Sequence, residues 1–186
     1  MTYPQELDMP TVLEVPLALA LRPGYCQRWS VFPELAGSEQ HAAHAARVAR
    51  IILWCWPDVP AAVLGWAITH DDGEMGFGDV SGPAKRENPT LALMLDKAEA
   101  RNRARLGIAP VRLPATSQLV CDIADKLAGL YHARQVRRDL LEEGHFAGDL
   151  ADMRRRFAGI LAQRSPELQR LRAAFEADFA AWLGAV

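Results

Sequence analysis

The chain has 186 residues, half of them hydrophobic and 24% charged, with a formal net charge of -2, the mix of one globular domain with room for a sizeable core. That mildly acidic balance argues against a chain built for electrostatic grip on nucleic acid. No apolar run nears the ~20 residues of a membrane span, the longest candidate, Val48 to Trp56, being interrupted by Arg50 and stopped by Pro57. Residues 1–37 hold Pro4, Pro10, Pro16, Pro23 and Pro33, which discourage helix; an irregular N-terminal segment is expected, with at most a short helix around Thr11–Leu21. Its acidic start, MTYPQELDMP, lacks the basic residues and apolar core of a signal peptide. Cys26, Cys55 and Cys121 form no CxxC pair, so reduced thiols and a cytoplasmic protein are expected.

Ser38 is a good N-cap, and Ala42, Ala45, Val48, Ala49, Ile52 and Leu53 give Glu39–Trp56 helical apolar spacing, ended by Pro57. Asp58 caps a second predicted helix that has Pro60 in its first turn and runs to His70. Residues 71–89 read as a Gly- and Asp-rich loop. Thr90–Leu106 is helical with Gly107 as its stop, and 108–114 is a proline-flanked connector. A long helix follows over Ala115–Glu143, then a shorter one over Asp149–Gln163. Ser165-Pro166-Glu167 starts the last helix, which reaches Leu183. No segment alternates as a strand, and no repeat is visible. The expectation is an all-α single domain of about six helices spanning 1–186.

Candidate ligands stand at three places: His41 and His44 in the first long helix, His70-Asp71 where the second helix meets its loop, and Asp125 inside the long helix. Asp125 has apolar company at 121, 124, 127 and 128, and a carboxylate on a buried face is costly unless paired or metal-bound. Histidines and aspartates on three helices make a mixed nitrogen and oxygen set, suited to a borderline or hard divalent ion. The pattern leaves alternatives open. His44 can replace His41, Asp122 can replace Asp125, and His70-Asp71 can be a plain helix C-terminus. Trp54, Trp56 and Trp66 read as core or subunit interface, and Arg101, Arg103 and Arg105 as a solvated face, with some in reach of phosphate in a neighbouring subunit.

The order His … His-Asp … Asp resembles the HD-domain metal phosphohydrolases, and within them the small bacterial and phage 5′-deoxynucleotidase-type proteins. The resemblance covers roughly residues 25–135. It is carried by Arg28-Trp29, by Ser38-Glu39-Gln40-His41 followed by Val48-Ala49, by His70-Asp71-Asp72-Gly73-Glu74, by Gly78-Asp79-Val80-Ser81-Gly82-Pro83-Ala84-Lys85, and by Ala124-Asp125-Lys126-Leu127. The chain departs from the group at Gln40, where the group has Glu directly before His, and in a slightly short segment from Trp29 to His41.

The resemblance implies that His41, His70, Asp71 and Asp125 bind a divalent metal ion (Co, Mn or Zn, with Mg as a further option). It makes Glu74 the carboxylate that activates or positions the attacking water, helped by Asp79. Arg28 and Lys85 would meet phosphate, and Trp29, Val31 and Pro83 would shape the base and sugar pocket, with Trp29 excluding a 2′-hydroxyl. The implied activity is removal of phosphate from a deoxynucleoside 5′-monophosphate. The alternatives are a triphosphohydrolase acting on dATP and a non-catalytic nucleotide-binding module. The substrate is then a small deoxynucleotide, with no nucleic-acid or membrane partner, and the protein a homo-oligomer, dimer or higher. The chemistry is coherent. Phosphate ester hydrolysis needs a nucleophile at neutral pH and relief of phosphoryl charge, which a metal supplies, and a carboxylate base adds roughly 10²–10⁴-fold.

Overall fold

The computed structural model describes residues 15–29, 32–78, 80, 82–142, 144–160 and 165–183. Those residues form an all-α architecture. In chain order the helices are α1 (Leu17–Leu21), α2 (His41–Cys55), α3 (Ala61–Thr69), α4 (Gly82–Glu87), α5 (Pro89–Arg105), α6 (Ala115–Val136), α7 (Gly144–Ile160), α8 (Pro166–Asp178) and α9 (Ala180–Leu183), with 3₁₀ turns at Arg22–Tyr25, Asp72–Glu74 and Arg138–Glu142. An isolated antiparallel bridge joins Gln27 to Gln40 and leads the chain into α2.

Local chemistry sets most boundaries. α2 buries His41, His44, Ala45, Val48, Ile52 and Cys55, a stripe at three- and four-residue spacing. It stops at Trp56 because Pro57 pushes the preceding residue out of the helical region. Asn88 caps α5 by accepting from the Leu91 N–H. At its other end Gly107 takes φ 70°, and the N–H groups of Gly107 and Ile108 bond Ala104 O and Arg103 O, closing the helix in a Schellman motif. Ser165 caps α8 through the Leu168 N–H, with Pro166 in the first turn.

Several expected elements are subdivided. The predicted helix 115–143 ends at Val136, where Arg137 turns extended (φ -145°, ψ 73°), and resumes as the 3₁₀ turn. The predicted last helix breaks at Phe179 into α8 and α9. The loop 71–89 contains a 3₁₀ turn and α4. α3 begins at Ala61, with Pro60 rather than Asp58 at its cap. Nine helices thus stand among the described residues where six were expected, the additional ones being the short α1, α4 and α9.

Two apolar clusters hold these helices together. The larger joins α6, α7, α8 and α9 through residues such as Ile123, Leu127, Met153, Phe157, Phe175 and Phe179, and it also takes in Trp29 and Leu35. The smaller consists of Val48, Ile52, Val63, Ala67, Cys121, Ala124 and Ala128, from α2, α3 and α6. Each fully buried aliphatic side chain contributes about 1.5–3 kcal/mol. Three of the smaller cluster's seven members are alanines, which lets helix backbones approach closely. Where α2, α3 and α6 meet, short side chains from all three can touch. The three cysteines are free, with Cys55 and Cys121 buried. Among the described residues no helix is long and apolar enough to cross a membrane.

Candidate metal centre

His44, His70, Asp71 and Asp125 converge at the junction of α2, the end of α3, and α6. His44 is fully buried; its Nε2 lies 2.8 Å from Asp125 Oδ1 and 3.6 Å from Asp71 Oδ2. His70 Nε2 lies 3.3 Å from Asp71 Oδ1 and 3.6 Å from Asp125 Oδ1. His70 is oriented from behind. Its Nδ1 is 3.0 Å from the Ala67 carbonyl, so Nδ1 carries the proton and donates it, while Nε2 is left aimed at the two carboxylates. The Trp66 ring stacks on the imidazole at 4.7 Å. A histidine whose other nitrogen is tied to a backbone carbonyl is the usual arrangement of a metal ligand.

The electrostatics fit a cation. Burial opposes a charge on His70, yet Asp71 and Asp125 outweigh it and push its pKa up to about 9. Burial likewise opposes ionisation of Asp71 and Asp125, but the two histidines, with Arg28 at Asp71, hold both below the usual carboxylate range. Neighbouring Asp72 is pushed up to about 6 by burial and by the Asp71 charge. His70 Nε2 is buried without a well-formed hydrogen bond, although two carboxylates face it. Two imidazoles and two carboxylates around an unsatisfied nitrogen are a donor set for a divalent ion such as zinc, cobalt or manganese. His44, His70 and Asp125 present ligand atoms within 4.8 Å of one another.

The histidine of α2 in this set is His44, a correction to the expectation of His41. Residues three apart share one face of a helix, and both histidines are buried, so apolar periodicity does not separate them. The crossing of α2 over α6 does: His44 meets Asp125, whereas His41 lies one turn earlier. His41 Nε2 is 3.7 Å from Glu74 Oε2, and His41, Asp71 and Glu74 form an adjoining group, again within 4.8 Å. Fixed cations border that group. Lys85 Nζ is 3.5 Å from Glu74 Oε1 and 3.6 Å from Glu99, and Arg28 donates to Asp71.

The turn bearing Glu74 is clipped to α5. Asn102 Nδ2 donates to the carbonyls of Gly73 and Met75 at 2.8 and 2.7 Å. A Cβ at Gly73 would come within 2.8 Å of Glu99 Cβ and 3.0 Å of the Glu99 backbone, so glycine is what permits the contact.

Other expected site residues stand differently. Arg28 is an ion-pair partner of Asp71, with Glu39 also 3.7 Å away. Trp29 is core, which corrects its expected place as a sugar-pocket wall: it is 8% exposed and packs against Phe32 and Phe146 with His132 stacked on it. Its indole N–H donates to Glu39 at 3.0 Å, and that anchor turns the ring inward. Glu39 also accepts from Arg47, while Ser38 Oγ meets His132 Nε2 at 2.8 Å. This layer of Glu39, Arg47 and His132 was not singled out from the sequence. Val31 and Asp79 lie outside the described residues, and Pro83 falls in α4 with its side chain outside them.

A cleft of about 400 Å³ opens beside this group, lined by two of its members, His70 and Asp125, and by Trp66, Arg103, Lys126 and Arg156 among others. Asp125 is the most exposed of the four, with 37% of its side chain accessible, so the group is reached from this side. Arg103, read from sequence as part of a solvated face, is fixed here by donating to the His70 carbonyl. Searches of the chain against known protein families, curated proteins and solved structures give no match.

Proposed function

We propose that this protein is a divalent-metal-dependent phosphohydrolase acting on deoxynucleotides, in the manner of the HD-domain enzymes it resembles. The observation that carries the reading is the convergence of His44, His70, Asp71 and Asp125 into one group, buried at His44 and open to a cleft at Asp125. A bound divalent ion would supply charge relief at the phosphoryl oxygens and a nucleophile at neutral pH. The chain's own residues would do the rest. Ala67 O and Trp66 fix His70, Arg28 fixes Asp71, and the Glu74 carboxylate takes a proton from the attacking water. The deoxy sugar rests on the resemblance alone, since Trp29 is core. Free thiols at Cys26, Cys55 and Cys121 support a reducing, cytoplasmic setting.

The test is a panel of nucleoside mono- and triphosphates, ribo and deoxy, incubated with protein and Co²⁺, Mn²⁺ or Zn²⁺ and read by chromatography. Release of phosphate or polyphosphate that requires metal is expected. Tight nucleotide binding without release under any metal would replace the enzyme by a nucleotide-binding module.

A further inference from the structure

Three helices each bring one cation to the cleft beside the ligand group. Arg103 comes from α5, Lys126 from α6 and Arg156 from α7. They are distant in sequence, so no single helix face produces the cluster; the fold does. Each is already anchored. Arg103 is held by His70 O and by Glu99 at 3.4 Å. Asp152 ties Arg156 (2.7 Å) and, more loosely, Lys126 (4.0 Å). Arg155 also reaches Asp152, at 3.4 Å, so three cations share that one carboxylate and leave donors over for a second anion. Asp122 also borders the cleft, and its Oδ1 accepts from Gln118 at 2.8 Å. Lys126 follows Asp125 directly in the chain, so the cationic wall starts next to a ligand position.

We propose that this cleft is a phosphate-chain subsite, in which Arg103, Lys126 and Arg156 bind the non-reacting phosphates of the substrate, so that a nucleoside polyphosphate is preferred over a monophosphate. The substrate part of the proposal rests on the phosphohydrolase reading; the anion-binding part does not. One phosphate beside His70 and Asp125 would leave the spare donors of the outer cations unused, whereas a chain of phosphates extends from that group towards them. Arginine meets phosphate with a planar fork and lysine with a point charge, and a half-open cleft lets a flexible chain enter end-on.

The experiment is calorimetric binding of inorganic tripolyphosphate and of orthophosphate to the full-length protein, as purified and after dialysis against a chelator. Tripolyphosphate should bind at least about 10-fold more tightly than orthophosphate in both preparations and weaken with added salt, as partly exposed charge pairs do. Lys126→Gln and Arg156→Gln should each weaken it by roughly 3- to 10-fold, the loss of one charge-assisted contact. Arg154→Gln, exposed on the same helix and not part of the cleft wall, should bind like the parent. Thermal melts of all variants separate lost binding from lost fold. Equal affinity for the two anions overturns the subsite, as does parent-like binding by both cleft variants. Metal-dependent hydrolysis of p-nitrophenyl phosphate by the parent is measured alongside. If that is present and tripolyphosphate selectivity is absent, the subsite alone fails. If selectivity is present and no phosphate ester is ever cleaved, the phosphohydrolase reading fails and the anion site stands.

Discussion

Asp71 stands between two groups of buried polar side chains that balance their charge differently. Towards the cleft, Asp125 is paired with the imidazoles of His44 and His70. Away from it, His41 and Glu74 sit beside Lys85, and Arg28 supplies a cation to Asp71. Both groups contain histidine and carboxylate within ligand distance, so residue type alone does not choose between them. Local charge does. Arg28 touches Asp71, which both groups share, so the charge that tells them apart is Lys85, beside Glu74 alone, and it opposes a second cation there.

The comparison is broken most severely by moving the metal. His44→Ala or Asp125→Ala should lower cobalt or zinc affinity by more than about 10²-fold, because even the outer partners of ligands contribute roughly 10–100-fold. His41→Ala should stay within a few-fold. Equilibrium dialysis with metal analysis decides it, and an equal loss in His41→Ala would merge the two groups into one site. Next comes the layer behind both. Trp29→Ala should destabilise the protein by about 3–5 kcal/mol in urea unfolding, the cost of truncating a buried aromatic, with the deoxy-to-ribo activity ratio of the surviving fold unchanged. A changed ratio with intact stability would return Trp29 to the pocket.

Glu74→Gln sharpens the comparison from the other side. It keeps the shape and removes the base, so kcat should fall by roughly 10²-fold at unchanged metal content. Loss of metal instead would make Glu74 a ligand. The smallest effect is expected at Trp66, whose ring stacks on His70 at 4.7 Å. Such a contact is worth roughly 0.5–1.5 kcal/mol, so Trp66→Leu should weaken metal binding by about 2- to 10-fold in the same dialysis assay.

The sequence made the helical class plain, along with the main helix cores, because apolar spacing, proline stops and Asn, Ser and Gly caps act locally. It also marked His70, Asp71 and Asp125, which hold position through the His-Asp pair and through a carboxylate set on an apolar face. It did not separate His41 from His44, since both belong to the same buried stripe and only the approach of α6 distinguishes them. Gln40, wedged between Glu39 and His41, and the short segment from Trp29 to His41 were the local signs of a displaced register. Trp29 pointed outward on paper because nothing in the chain announces a bond to Glu39 that turns its ring into the core. Nor does any local signal unite Arg103, Lys126 and Arg156, which only tertiary packing brings to one cleft. The break after Val136 was hidden as well: residues on both sides favour helix, and the turn at Arg137 answers to the packing of the 3₁₀ turn on α6 and α7.

Gly73 gears two distant parts of the molecule together. Its carbonyl is gripped by Asn102, and its missing side chain leaves the gap that Glu99 fills. Arg103, the next residue along α5, grips His70 and faces the cleft. A single methyl group at position 73 would therefore act as a spacer between α5 and the Glu74 turn, shifting the Glu74 carboxylate on one side of Asp71 and the Arg103 guanidinium on the other in one movement. Two side chains that look independent on the surface share one mechanical tolerance, set by the absence of a single carbon atom.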